Sequence, residues 1–334
     1  MQIISIDNFL QDTVNNKDLS KIKYNNFLVS EMNLRQLQDT CKDYGFSSFL
    51  TTSDTQVKLG KNKKELGLYS IGISLKPDTQ HKIKVTLDSG EKAIITLCSN
   101  SNSSCRQSCV IVNSGNPAYL EGKNRAMQKR TELLFDNPSL FFAMYLRYIE
   151  LKVSYCIKND LLLSVRNNIA SDIKLEQLNI TYKQFPGFKL SSVIAMFIEQ
   201  TNLTKEDKLL QYDYTKHHDR KKQEDYFLAY SVCDFDNNKI SKALNNGLPL
   251  AMIFNTPRNK DLPETYTLEI NGIKKALPIV DGDKHDFLPE SEKLFNDNHY
   301  IYGLRFKHKA KHKKEQRQST LDKYILSGFV RNVA

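Results

Sequence analysis

The chain has 334 residues, 40% apolar and 26% charged, with a formal net charge of +10. This suits a globular protein of one large or two smaller domains and argues against a disordered or fibrous chain. No apolar run approaches the ~20 residues of a membrane span, and the opening MQIISIDNFLQD lacks the basic-then-apolar pattern of a secretory signal, so a cytoplasmic protein is expected.

Residues 1–66 read as a polar, helical N-terminal cap. LSKIKYNNFLVSEMNLRQLQDTCKDYG has helix-like apolar spacing, and KLGKNKKELG reads as a charged loop closing the cap. Residues 69–75 (YSIGISL) then alternate as a strand before Pro77. Residues 82–87 (KIKVTL), the turn Asp88-Ser89-Gly90 and residues 93–97 predict a hairpin. A helix over 116–135 carries Lys123, Arg125, Lys129 and Arg130. Asp136-Asn137-Pro138 breaks it and starts a second, largely buried helix through 157, with proline in its first turn. A strand at 161–167 (LLLSVRN) and a helix at 190–199 follow, then strands at 209–215, 226–232, 249–254, 277–280 and 300–306. Strands separated by helices, several continuously apolar, predict an α/β fold with a mostly parallel sheet.

Polar, reactive residues recur just after successive strands. That placement favours an incomplete TIM-like (β/α) barrel over 67–334, because barrel enzymes build their sites at C-terminal strand ends.

The first such group is Cys98, Cys105 and Cys109, spaced C-x6-C-x3-C on a polar segment with Arg106 between two of them. Three thiolates form a soft ligand set suited to zinc or an iron–sulfur cluster, and no fourth Cys or His follows nearby. Arg106 would lower the thiol pKa values. Cys41, Cys156 and Cys233 sit in apolar contexts and read as reduced core thiols. The second group is Arg166, Asn168 and Asp172, with the arginine as an anion clamp and the amide as an orienting group; Asp172 also suits a helix cap. The third is Asp213, Thr215, Lys216 and His217; Asp213 interrupts an apolar strand, which is costly unless it is paired or used. The fourth is Asp281, Asp283, His285 and Asp286, where two carboxylates flanking a glycine suit a divalent cation or a ribose, or form a simple turn.

Charge is concentrated in one place. RFKHKAKHKKEQR, residues 305–317, holds seven Lys/Arg against one Glu and leaves +4 for the rest of the chain. Lys307, Lys309, Lys311, Lys313 and Lys314 are the candidate nucleic-acid contacts.

Several stretches carry a family resemblance: LYSIGISLKP (68–77), the three-cysteine run, NRAMQKRTELLF (124–135), VRNNIASDI (165–173), YDYTK (212–216), DYFLAYSV (225–232), PIVDGDKHD (278–286), GLRFKHKAK (303–311) and SGFVRN (327–332). Over roughly 65–332 the chain resembles phage and plasmid proteins related to the phage gene product 88 group. The resemblance implies a barrel-like fold with a cysteine-bound cluster, because the loop is similar to that of radical S-adenosylmethionine enzymes. Those enzymes usually carry C-x3-C-x2-C and a glycine-rich methionine-binding strand; here the spacing is wider and no such strand is present. The expected protein is a phage or mobile-element iron–sulfur metalloprotein of the host cytoplasm. It would hold a [4Fe–4S] cluster, with S-adenosylmethionine as the associated cofactor, and act on a nucleotide, nucleic acid or other anionic substrate. The alternative is a nucleic-acid-binding replication protein with a structural zinc site.

Overall fold

A computed structural model describes residues 2–77, 83–86, 90, 92–107, 109, 120–202, 210–292, 295, 298–307 and 314–332. The turn at 88–89 and the basic residues Lys309, Lys311 and Lys313 therefore lie outside the described residues. The chain forms two compact units, one of residues 1–99 with 119–211 and one of residues 100–118 with 212–334.

In the first unit the strands are β1 (Gln2–Ser5), β2 (Lys17–Asp18), β3 (Lys23–Tyr24), β4 (Phe27–Leu28), β5 (Thr51–Thr52), β6 (Leu68–Gly72), β7 (Ile83–Thr86), β8 (Lys92–Thr96), β9 (Leu162–Arg166), β10 (Asn179–Tyr182) and β11 (Phe185–Lys189). The expected hairpin is present: β7 and β8 are antiparallel, and β1 adds to β8 in parallel. β6 runs parallel to β9 with Gly72 opposite Arg166, and β5 pairs antiparallel to β6. Gly72 is required by this close approach, since a Cβ there would lie 2.1 Å from Arg166 O.

The first 66 residues are less helical than their apolar spacing suggests. Asn25 and Asn26 take positive φ (47° and 69°) and turn β3 into β4 instead of continuing a helix. Helix resumes only at Leu34–Asp43, where Asn33 and Gln36 form a reciprocal capping box. The charged segment read as a loop is the helix Val57–Leu66, ended by Gly67 at φ 67°.

The helix Pro138–Lys158 forms much of this unit's core. Asn137 caps it by accepting from Leu140 N at 3.0 Å, and proline occupies the first turn, where its missing N–H costs nothing. Phe49 packs on it, with ring centroids 5.0 Å from Phe141 and 5.3 Å from Tyr148.

The second unit contains β12 (Gln211–Thr215), β13 (Phe227–Ser231), β14 (Leu250–Phe254), β15 (Thr265–Ile270), β16 (Ile273–Asp281), β17 (Ile301–Arg305) and β18 (Val330–Arg331). Their order is β12-β13-β14-β17-β16-β15. All neighbours are parallel except the β15–β16 hairpin, and β18 pairs in parallel with the end of β14. From β12 through β14 the spatial order follows the chain order, but β17 lies between β14 and β16, so the last two parallel strands are swapped relative to the chain. Tyr226, Leu228, Tyr230 and Val232, then Leu250, Met252 and Phe254, share one apolar cluster at a spacing of two. Ile240, Ala243 and Leu244 of the helix Asn237–Asn245 cover that face, and Asp236 caps the helix. The fold is mixed α/β, and no described helix is long and apolar enough to cross a membrane.

Candidate functional site

In the first unit, the exits of β6, β8 and β9 are tied together by main-chain bonds. Ile169 N donates to Ile73 O at 3.0 Å, and Asp172 N donates to Leu97 O at 3.1 Å. The Cys98 thiol, one residue further along, faces Ala170 O at 3.9 Å. The 167–173 segment is shaped by asparagines. Asn168 Oδ1 accepts from Ser171 Oγ at 2.8 Å and Ile173 N at 2.9 Å, and its Nδ2 donates to Ile173 O at 3.0 Å. So Asn168, expected to orient a ligand, spends its amide on its own loop. Asn167, which sequence reasoning passed over, accepts from Tyr145 OH at 2.6 Å and donates to Gln211 Oε1 at 2.8 Å. Only its place beside Asn168 at a strand end could have signalled it. Arg166 and Asp172 are both buried.

The second unit gathers a different set. Asn102 accepts from Cys105 N at 2.8 Å and donates to Cys233 O at 3.0 Å. The Cys105 side chain packs against the cluster of Cys233, Leu321, Tyr324, Phe329 and Val330. Lys216 donates to Ser231 O at 2.8 Å and to Ser231 Oγ at 2.7 Å. Burial raises the Cys233 thiol, and the Lys216 charge opposes that rise. Asn100 Nδ2 and His217 Nδ1 are 2.8 Å apart. Arg331 donates to Asp234 O at 2.6 Å and lies 4.4 Å from the Phe235 ring centroid.

The six cysteines divide as expected. Cys98, Cys105 and Cys109 are partly exposed, whereas Cys41, Cys156 and Cys233 are buried. Burial pushes Cys41 up to about 11 and Cys156 up to about 12, leaving both protonated at neutral pH. The donor chemistry of the loop suits a thiophilic metal. Among the described residues, however, no group of three or more His, Cys, Asp or Glu stands together as a ready-made ion site.

Asp213 is fully buried and accepts a short hydrogen bond from Tyr226 OH, and Arg220 lies 5.5 Å from the Tyr226 ring centroid. Its register partner is Leu228, so it belongs to the face that the helix Asn237–Asn245 covers. On the opposite face Tyr212 OH donates to Asp286 Oδ2 at 3.2 Å.

Asp281 and Asp283, proposed to hold a cation or ribose, have local cationic partners. Arg305 donates from Nη1 to Asp281 Oδ1 at 2.8 Å and from its backbone N to Asp283 Oδ2 at 2.8 Å. Lys307, the first lysine of the basic run, meets Asp283 Oδ1 at 3.1 Å. Parallel pairing of β16 with β17 brings these opposite charges to one strand end. Lys314 begins the helix Lys314–Leu326.

No curated protein and no solved structure matches the chain. The family model described as gene product 88 matches residues 50–321, which take in the three cysteines and every strand-end group above. By that match over most of its length, the chain belongs to the gene product 88 family.

Proposed function

We propose that the chain is a phage or mobile-element iron–sulfur metalloprotein, an enzyme of radical S-adenosylmethionine-like type acting in the host cytoplasm on a nucleotide, nucleic acid or other anionic substrate. The observation that carries this reading is the division of the thiols. Cys98, Cys105 and Cys109 remain partly exposed, while the other three cysteines are buried. These three would ligate a [4Fe–4S] cluster as thiolates and leave one iron for a cofactor or substrate. When bound, such a cluster supplies one-electron chemistry. The wider C-x6-C-x3-C spacing makes S-adenosylmethionine use a separate question, answered by its own binding measurement.

The parallel strands β12, β13 and β14, adjacent in chain order, support the incomplete (β/α) barrel, and the insertion of β17 between β14 and β16 departs from its regular order. Arg166 and Lys216 are the residues assigned to the substrate's negative charge. Asn168, Asp172 and Asp213 remain the other candidate catalytic residues, and Asp281 and Asp283 the candidate cofactor contacts; Asn168 and Asp172 also bond within or to the segments leaving β9 and β8.

Anaerobic purification and reconstitution, followed by iron, sulfide and zinc analysis, test the reading. The expected result is a brown protein whose iron is lost when Cys98, Cys105 or Cys109 is replaced by serine, and kept when Cys41, Cys156 or Cys233 is. A colourless protein with stoichiometric zinc, or equal metal in all six variants, overturns it. Zinc together with salt-sensitive DNA or RNA binding, lost on neutralising Lys309, Lys311, Lys313 and Lys314 together, would identify a nucleic-acid-binding replication protein instead.

A further inference from the structure

The helix Leu120–Asp136 carries a deeply buried cation. Arg130 is only 7% exposed. Its Nε donates to Ser48 O at 2.8 Å, its Nη1 donates to Ser74 O at 3.1 Å, and its guanidinium lies 5.9 Å from the Phe46 ring centroid. All of these neighbours are electrically neutral. No carboxylate pairs with Arg130 among the described residues, and the titratable group that acts on it is the Cys41 thiol. That thiol is itself buried and pushed up to about 11, so it supplies no charge at neutral pH. Burial lowers Arg130 to about 10, which still leaves it cationic.

Two other arginines, one buried and one half-buried, are balanced by carboxylates. Arg147 pairs with Glu150 at 3.0 Å, and Arg305 pairs with Asp281 at 2.8 Å. A buried charge without a counter-charge is expensive, and the cost falls when an anion joins it.

The position of Arg130 also points to a ligand. Ser74 lies on the segment leaving the C-terminal end of β6, the end at which parallel α/β sheets collect their ligands. The Ser74 hydroxyl is 2.9 Å from Thr51 Oγ1, which holds this segment in place. Two residues on, Lys76 N donates to Thr131 Oγ1 at 2.8 Å and Lys76 Nζ donates to Gln128 Oε1 at 3.0 Å. The same helix therefore also anchors the segment at Lys76, through Gln128, whose Nε2 donates to Glu132 Oε1 at 2.9 Å. Two carbonyl bonds leave part of the planar guanidinium fork available, and that fork matches the paired oxygens of carboxylate or phosphate.

We propose that Arg130 forms an oxyanion-binding site at the C-terminal end of β6 that takes the phosphate or carboxylate group of a small molecule. This extends the proposed function by assigning its anionic substrate a further contact. The site needs no metal, so a failure here and a failure of the iron–sulfur reading are separable.

The test is calorimetric titration of the full-length, metal-free protein with inorganic phosphate and with acetate, each against sodium chloride at matched ionic strength. Saturable binding of one of these anions is expected, and the one that binds names the ligand group. Arg130→Met, checked for folding by circular dichroism, should weaken that binding at least tenfold, and Arg130→Lys should weaken it less. Absence of binding above the chloride control overturns the proposal, as does a folded Arg130→Met variant that binds like the wild type. If Arg130→Met does not fold, Arg130→Lys decides, because it keeps the charge and loses the planar fork. A loss of threefold or more then supports the site, and no loss overturns it.

Discussion

Replacing Asn168 with alanine should destabilise the first unit by about 3–4 kcal/mol. The side chain is only 3% exposed, so water cannot take over the bonds it makes. Ile173 N and Ile173 O would both lose their partner, as would the Ser171 hydroxyl. A buried polar group left unsatisfied costs about 1–3 kcal/mol. Ser171 can rotate toward another acceptor, so the two main-chain groups dominate, and partial collapse of the loop keeps the total below the upper bound. Asn168→Asp preserves both accepted bonds but opposes a carboxylate to Ile173 O, and should cost about half as much. Urea unfolding followed by circular dichroism and by tyrosine emission is the natural assay, because the chain has 16 tyrosines and no tryptophan. A change under about 1 kcal/mol for Asn168→Ala would refute the claim that the amide holds the loop. If ligand binding fell while stability held, Asn168 would instead have the orienting role its place at a strand end first suggested.

Gly72→Ala should cost about 3 kcal/mol or more, since the new Cβ meets Arg166 O across the β6–β9 pair and the strands would have to part; an unchanged urea midpoint would contradict this. In the native metal-free protein, iodoacetamide should label Cys98, Cys105 and Cys109 at least tenfold faster than Cys41 and Cys156, as read by peptide mass spectrometry; similar rates at all five would refute the division of thiols. Burial lowers the folded His285 pKa below its ordinary 6.5, so as pH falls the unfolded chain takes up that proton first. The stability from His285 is complete above the unfolded value and is lost as pH falls through it toward the folded value. His285→Gln should therefore flatten the decline in urea midpoint between about pH 7 and pH 5, and identical slopes in the two proteins would sink the assignment.

Much of the fold was legible because its signals are local. The buried helix opened by Asn137 and Pro138, the helix Leu190–Glu199 and the strands β7, β8, β9, β12, β13, β14 and β17 lie within a residue or two of their expected positions, whereas β16 begins four residues early and β10, β11 and β15 carried no signal that was read. Failures arose where a single backbone conformation decided the outcome. Asn25 and Asn26 turned a helical pattern into a hairpin, and Asn271-Gly272, both at positive φ, joined β15 to β16 although the Asn-Gly signal had gone unused. The site was less legible, since composition cannot say which partner a polar group meets. Asp281 and Asp283 have Arg305 and Lys307, more than twenty residues away in sequence, as partners that no local pattern announces. Arg130 is one of four basic residues that the sequence places on one helix, and its burial is not visible in that pattern.

The way the chain is divided between its two units has a consequence for its synthesis. Residues 100–118 belong to the second unit but are flanked on both sides by the first. During translation this segment emerges long before residues 212–334, the rest of its unit, have been made. Asn102 must wait for Cys233, and Cys105 for Phe329 and Val330. Until then the 100–118 stretch is a tether waiting for its host, while most of the first unit is free to fold around its ends. A cut between 211 and 212 would leave this stretch on the wrong fragment, so the two halves should be recoverable as soluble proteins only when co-expressed.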